Sequence, residues 1–253
     1  MNTIGILTFL QRELKRIWRV KVQTFAAPLI SATLFIFIFG TVLGRSIDTI
    51  AGVSYLSFVF PGILTLYMIM AAFESSSSSL YFARWTRSIH ELLVAPFSYG
   101  EMVFSYVAAS TVRSVLIGTG ALLIGTAFGA VTITHPFLFL ATGIGIAVVF
   151  ALAGLIVGLW AQGFEQLGVF TTFVLTPLTY LGGMFYSLDL LTGTVRSITL
   201  ANPLFHIIDL MRYVTIGTAQ VNPIIGGSIL AGTAGVLAVL VVSLFRQGWR
   251  IRE

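Results

Sequence analysis

The stretch from Arg84 to Phe97 reads RWTRSIHELLVAPF and lies between two long apolar segments, roughly residues 49–82 and 100–128. Its charges and its interior Pro96 are unfavourable inside a hydrocarbon layer, so we expect this stretch outside the lipid. The chain therefore makes a hairpin of two membrane crossings joined by a short polar turn, which we call the elbow (residues 84–97).

A short helix is predicted within the elbow. Ser88 is placed to cap it, and Glu91 follows three residues later, as in a capping box. The helix would present Ile89, Leu92 and Leu93 on one face. A helix that is half apolar and half charged suits docking to a soluble partner, and an ordinary solvated loop is the alternative.

The composition is that of an integral membrane protein. Only 9% of the 253 residues are charged and 57% are hydrophobic, whereas soluble domains carry about 25% charged residues. The mean hydropathy is +0.98. Because the sequence has no cysteine, disulfides, thiolate metal sites and cysteine nucleophiles are excluded.

Uncharged runs long enough to cross ~30 Å of hydrocarbon as helices recur along the chain. The longest, residues 114–164, must turn back once, near residues 129–136. We predict an all-α membrane protein with a single transmembrane domain over residues 1–253. Its six transmembrane helices are expected at about 24–44, 56–80, 101–128, 137–160, 167–185 and 223–245.

The basic residues predict the orientation. With six spans both termini lie on one side, and ten of the fourteen Lys and Arg residues fall there. They are Arg12, Lys15, Arg16, Arg19, Lys21, Arg84, Arg87, Arg246, Arg250 and Arg252. Cytoplasmic loops are enriched in Lys and Arg, so both termini are predicted to be cytoplasmic, in the cell (inner) membrane. This basic charge fits topology and contact with lipid headgroups, and it does not imply nucleic acid as a partner.

Residues 4–21 are predicted to form an amphipathic helix. Its apolar positions recur at helical spacing, with the basic residues on another face. These positions are Leu7, Leu10, Leu14, Ile17 and Trp18. Such a helix lies on the inner leaflet, although a simple positive anchor for the first span is the alternative.

Two charged residues fall inside predicted spans away from the span ends. Glu74 precedes the five serines 75–79 in the second span, and Arg113 lies in the third. Because an intramembrane carboxylate is costly, it faces protein or water. Glu74 and the serines either line a polar pathway near the cytoplasmic side, or Glu74 is a buried carboxylate among serines that pack between helices. Arg113 is the obvious charge partner, although a rise of 1.5 Å per residue places it roughly 9 Å deeper.

Two features involve the fifth span. The short loop before it carries Phe164 and Glu165 and is either a second partner contact or an ordinary polar turn. The span itself contains Thr176 and Pro177, which predict a kink.

Residues 184–222, between the fifth and sixth spans, stay outside the cytoplasm and are still apolar. Asn202 followed by Pro203 predicts a helix start, and the apolar face of that helix is expected to lie away from Asp209 and Arg212. We expect a re-entrant pair of short helices in the outer half of the bundle, which would close a pathway from outside. A surface loop is the alternative.

No catalytic or metal site is predicted. His90, His135 and His206 are scattered over both sides of the membrane, and both lysines precede the first span, so neither belongs to a P-loop. This chain is therefore not expected to be an enzyme or to hydrolyse ATP itself. An ATP-independent channel or ion-coupled carrier stays open as a function, and a membrane transferase is disfavoured because no acid, base or metal-binding residues cluster within one leaflet.

The order of these features resembles ABC-2 type permeases, the membrane subunits of bacterial exporters of drugs, nodulation factors and polysaccharides. The stretches that carry the resemblance are VFPGI at 59–63, RSIHELLVAP at 87–96, TFVLTPLTYLGGMFYS at 172–187 and Asn202–Pro203.

The resemblance implies a half-transporter that forms a homodimer through its first and fifth spans and pairs with two copies of a separate ABC ATPase. That partner would bind ATP and magnesium, and no cofactor is expected in this chain. The exported substrate is expected to be amphipathic or lipid-like, such as a drug, lipid or glycolipid.

The resemblance also implies roles for individual segments. The elbow matches the coupling helix, residues 4–21 match the interface helix, and 184–222 match the external gate. The expected ATPase contacts are Arg84, Arg87, His90, Glu91, Leu92, Leu93, Pro96, Phe164 and Glu165. The expected gate residues are Gly182, Gly183, Asn202 and Pro203.

Overall fold

A computed structural model of the protein describes residues 3–44, 49–50, 52–95 and 98–250. Within these ranges six helices are long and apolar enough to cross a membrane, which confirms the predicted fold class. They are Val22–Gly40 (span 1), Tyr55–Trp85 (span 2), Tyr99–Ala127 (span 3), Pro136–Trp160 (span 4), Phe164–Met184 (span 5) and Pro223–Gln247 (span 6).

Shorter elements connect and flank the spans. The helices are Thr3–Arg19 (N-terminal helix), Ile89–Val94 (elbow helix), Gly193–Ala201 (first external helix) and Pro203–Ile216 (second external helix). A 3-10 turn covers Leu188–Leu190. Between spans 1 and 2, strands Thr49–Ile50 and Val53–Ser54 pair antiparallel.

Spans 2 and 4 form the centre of the bundle. Span 2 is buried along most of its length, mainly against spans 3 and 4. A Cβ atom at Gly154 would lie 2.5 Å from the carbonyl oxygen of Phe73, and one at Gly158 would lie 2.8 Å from that of Ser77. Glycine at these two positions therefore permits the close approach of span 4 to span 2.

The serines of span 2 lie at this crowded centre. Four of their side chains are buried: Ser75, Ser76, Ser77 and Ser79. Ser76 Oγ donates to the Phe73 carbonyl at 3.2 Å, and Ser79 Oγ donates to the Glu13 carboxylate of the N-terminal helix. Packing between helices therefore accounts for most of the five serines. Ser77 and Ser78 also line a cleft that is described below.

The N-terminal helix packs on span 3. Three of its side chains are buried: Phe9, Glu13 and Ile17. Leu7 and Trp18 of the predicted apolar face are exposed in the single chain. The buried Glu13 accepts hydrogen bonds from Ser79 Oγ and from Arg16 Nε, the latter at 3.1 Å.

Span 5 departs from regular α-helix around its proline. A π-helical turn, Thr171–Leu175, precedes the short α-helical segment Thr176–Thr179, and a second one, Tyr180–Met184, follows it. Near its end Gly183 has φ +72°, a conformation that glycine adopts without steric cost. The irregularity expected at Thr176–Pro177 thus extends over several turns.

The second external helix packs against spans 2, 4 and 6 and the end of span 5. It begins as predicted, because Asn202 Oδ1 accepts from the backbone N–H of Leu204 at 3.0 Å and Pro203 is its first residue. The expectation that Asp209 and Arg212 point away from the buried face is wrong. Each of these side chains is only 1% exposed.

Candidate functional site

Arg84 holds the base of the elbow against span 4. Its Nη1 donates to the carbonyls of Gly158, Leu159 and Ala161 at 2.9, 2.8 and 3.1 Å, and its Nε donates to the carbonyl of Arg250 at 2.6 Å. A cation is favourable at the carbonyl end of a helix, where orphan acceptors and the helix dipole coincide. Arg84, expected as a partner contact, is therefore engaged within the chain.

The elbow reverses direction at Arg87, which has φ +58°. This left-handed conformation is uncommon for a residue other than glycine. The backbone N–H of Arg87 donates to the Arg84 carbonyl at 3.0 Å. The predicted capping box at Ser88 is wrong: Ser88 has helical backbone angles and makes no cap hydrogen bond. Its hydroxyl is instead within hydrogen-bonding distance of Thr86 Oγ1, at 3.1 Å.

The apolar face of the elbow helix is directed into the bundle. Ile89 is buried and Leu92 is 7% exposed, while Leu93 is half-buried against the core. Leu92, predicted to contact a partner, is thus largely covered by the chain's own side chains. The helix is held to the membrane domain by this face.

The opposite face of the elbow is open. Arg87, His90 and Glu91 are exposed, and Val94 is 87% exposed. Trp85, at the end of span 2, is exposed as well. One aromatic, one aliphatic and three polar or charged side chains thus form an exposed surface, while the opposite face of the helix packs on the bundle. Pro96 lies outside the described residues.

Phe164 and Glu165, at the start of span 5, are both exposed. The Phe164 ring lies near the Tyr81 ring of span 2, with 6.2 Å between the centroids. The loop before span 5 is linked to span 2 by a bond from the Tyr81 hydroxyl to the Gln162 carbonyl, at 3.4 Å. This loop therefore lies beside the C-terminal end of span 2.

Glu74 and Arg113 face each other between spans 2 and 3. Arg113 Nη2 lies 3.7 Å from Glu74 Oε2, so the long arginine side chain spans the offset in depth. The Glu74 side chain is 51% exposed, whereas that of Arg113 is 13% exposed. The Glu74 carboxylate is thus the more accessible group of this ion pair.

Two clefts meet at this ion pair. One, of about 390 Å³, also reaches Ser77, Ser78 and the start of span 5; we call it the span 5 cleft. The other, of about 320 Å³, reaches Pro28 and Ser31 of span 1. The pair therefore lies where a molecule entering beside either span would meet charge inside the bundle.

The four predicted gate residues come together at the outer end of span 5. Asn202 Nδ2 donates to the Leu178 carbonyl at 2.7 Å. A Cβ atom at Gly182 would lie 3.3 Å from the backbone carbonyl carbon of Leu204. The glycine pair thus packs against the start of the second external helix, where Asn202 and Pro203 are found.

Arg212 of the second external helix donates hydrogen bonds to span 2, to the end of span 5 and to its own helix. Its Nε donates to the Phe58 carbonyl at 3.3 Å, its Nη1 to Asp209 Oδ1 at 3.0 Å and its Nη2 to the Gly183 carbonyl at 3.0 Å. The guanidinium carbon lies 3.9 Å from the centroid of the Phe58 ring. Burial lowers the pKa of Arg212 below its ordinary value, and the neighbouring Asp209 carboxylate opposes this shift.

Asp209 completes the cluster with backbone donors. Its carboxylate accepts from the N–H groups of Gln220 and Val221, at distances of 3.0–3.1 Å. Gln220 Nε2 in turn donates to Ser187 Oγ at 2.7 Å. Helical periodicity predicts Asp209 and Arg212 on the polar side of an amphipathic helix, and in the structure both are buried. Their spacing of three residues within an otherwise apolar segment is the sequence signal for an ion pair.

The chain is similar to known proteins over nearly its whole length. The family model described as ABC-2 type transporter matches residues 5–216. The inner membrane transport permease YadH of Escherichia coli K12 is 35% identical over 249 residues, which cover 98% of this chain and 94% of YadH. Nodulation protein J of Rhizobium meliloti strain 1021 is 26% identical over 209 residues, covering 81% of this chain and 78% of the relative.

The structure and these similarities agree. Six apolar spans and a relative that is itself an inner membrane permease make the protein a multi-pass inner-membrane transport permease, as the resemblance implied. The chain belongs to the ABC-2 type transporter family.

Proposed function

We propose that this permease is the membrane half of an ATP-driven exporter. It forms a homodimer and pairs with two copies of a separate ABC ATPase, which binds ATP and magnesium. The family assignment supports an ATPase partner in general, and the chain's two lysines lie outside any P-loop motif. The substrate is an amphipathic or lipid-like molecule, such as a drug, lipid or glycolipid, moved out of the cytoplasm or the inner leaflet.

The observation that carries this proposal is the two-sided elbow helix. Ile89 and Leu92 pack into the core, whereas Val94 and Glu91 on the other face of the helix are exposed. A surface that transmits force must be rigidly attached on one side and accessible on the other. The elbow therefore acts as the coupling helix, seated in the ATPase, and its buried face and its chain connection to span 2 pass the motion into the bundle.

Other elements have supporting roles in the proposal. The N-terminal helix is the interface helix, with exposed Leu7 and Trp18 available to the inner leaflet. Spans 1 and 5 form the dimer contact around a central pathway, as the family resemblance implies; both are sparsely buried in the single chain, as are spans 3 and 6. The two external helices form a re-entrant gate, and the Glu74–Arg113 clefts provide the cytoplasmic entry.

The decisive experiment alters the exposed face of the elbow. We expect Val94→Asp to lose association with the ATPase, because it places a charge on an apolar contact that is 87% exposed in the free chain. The tagged chain is isolated from its native host, the bound ATPase subunit is identified, and its Mg-ATP hydrolysis is measured. Val94→Thr preserves the side-chain shape, and Thr132→Asp adds the same charge in the exposed turn before span 4.

The expected pattern is loss in Val94→Asp alone, with both controls retaining the ATPase and all variants inserted in the membrane. Equal association of ATPase with Val94→Asp and wild type would exclude the elbow as the coupling contact. Transport by the purified chain in vesicles without any ATPase would instead favour the channel or ion-coupled carrier.

A further inference from the structure

The span 5 cleft has the size and lining of a ligand site. Its volume of about 390 Å³ falls within the range of small-molecule pockets. Phe164 and Leu167 supply apolar surface, and Glu74, Glu165 and Arg113 supply charge. This mixture of an apolar wall and a few charged groups is typical of sites for amphipathic molecules.

The accessible charge in the cleft is negative. The Glu74 side chain is 51% exposed and that of Arg113 only 13%, and Glu165 is exposed. The separation of 3.7 Å between Arg113 Nη2 and Glu74 Oε2 exceeds the usual hydrogen-bond range of about 2.7–3.2 Å. The Glu74 carboxylate therefore has acceptor capacity to offer a second cation.

A buried hydroxyl that lacks a hydrogen-bond partner among the described residues also favours a ligand in this cleft. Ser77 is 1% exposed and lines the cleft. Among the described residues its Oγ has no hydrogen-bond partner. Because an unsatisfied buried polar atom is unfavourable, this hydroxyl is suited to bond a polar group or a water molecule that enters with a ligand.

We propose that the span 5 cleft binds amphipathic monocations. Glu74 and Glu165 attract the positive group, and Phe164 offers both an apolar surface and an aromatic face to it. The inference rests on the proposed export of an amphipathic substrate and narrows that substrate to the cationic class. Anionic amphiphiles are disfavoured because Arg113, the one arginine among the described residues that line the cleft, is largely buried and already faces Glu74.

The test uses two probes of nearly the same shape and opposite charge, tetraphenylphosphonium and tetraphenylborate. Binding of each to the purified full-length chain in lipid nanodiscs is measured by equilibrium dialysis, with empty nanodiscs subtracted. We expect specific binding of tetraphenylphosphonium that weakens about fivefold in Glu74→Gln and in Glu165→Gln, the size of one partly screened charge contact. Asp189→Asn, which removes an exposed carboxylate outside the cleft, should bind like wild type.

Testing two separate glutamates distinguishes a loss of binding from a loss of folding. Glu165 lies in an exposed first turn, so its variant tests the site even where Glu74→Gln unfolds, as judged by the melting temperature. Equal binding of the two probes, or unchanged phosphonium binding in Glu165→Gln, would overturn the proposal. No ATPase is present in this assay, so its failure is distinct from failure of the exporter proposal, which the elbow variants test.

Discussion

Replacing Arg212 by Met should destabilise the outer half of the protein. The change removes three hydrogen bonds, to Asp209 and to the carbonyls of Phe58 and Gly183, and leaves the Asp209 carboxylate buried. Breaking a buried ion pair from one side costs about 3–5 kcal/mol. Because Asp209 keeps the backbone N–H groups of Gln220 and Val221, we expect the lower end, about 3 kcal/mol.

The measurement is thermal unfolding of the purified protein in detergent. With about 2–4 °C per kcal/mol for a chain of this size, the melting temperature should fall by about 6–12 °C. Arg196→Met, on the exposed first external helix, is the matched control and should change little. The double variant Arg212→Met/Asp209→Asn removes both charges and should recover part of the loss. A melting temperature of Arg212→Met within about 2 °C of the control would refute the assigned role of the cluster.

Three further predictions concern packing in the cytoplasmic half. Gly154→Ala should lower the melting temperature through its clash with span 2, whereas Gly235→Ala, with open space around it, should be neutral or stabilising in the same unfolding assay. Glu13→Ala removes the acceptor that ties the N-terminal helix to span 2 and should speed tryptic cleavage of that helix, while Gln11→Ala on its exposed face should not. Leu92→Asp buries a charge and should lower the melting temperature by at least about 5 °C; a shift below about 2 °C would contradict the assigned burial.

The spans were predictable because they depend on properties that are local in sequence. A run of about 20 mainly apolar residues must cross the membrane as a helix, so segments with few or no charges predicted all six spans, with ends that differ from those observed by at most five residues. The Asn202–Pro203 start was likewise predictable, since an N-cap bond involves atoms only two residues apart.

The position of charged side chains was harder to predict because it depends on distant parts of the chain. Arg212 is buried on account of carbonyls at positions 58 and 183, and Glu13 is buried on account of a serine 66 residues away. Periodicity places polar residues on the solvent side by default. That rule fails where a carboxylate or guanidinium finds enough partners to replace water.

The elbow follows the same rule. Its apolar residues predict a docking face, although a short helix joined to a membrane hairpin also buries apolar surface against its own bundle. Ile89 and Leu92 do this, so the surface left open to the proposed partner consists mainly of Val94 and the charged positions beside it.

Span 2 is fastened near both ends by an arginine that donates to main-chain carbonyls of another segment. At the C-terminal end of span 2, Arg84 holds the last carbonyls of span 4. Near the N-terminal end of span 2, Arg212 holds the carbonyls of Phe58 in span 2 and Gly183 in span 5. Main-chain acceptors cannot move away by changing a rotamer, so these contacts resist local adjustment. Under the proposed function, a push on the elbow is then transmitted along span 2 as a rigid rod, and the outer gate moves with it because Arg212 joins the two.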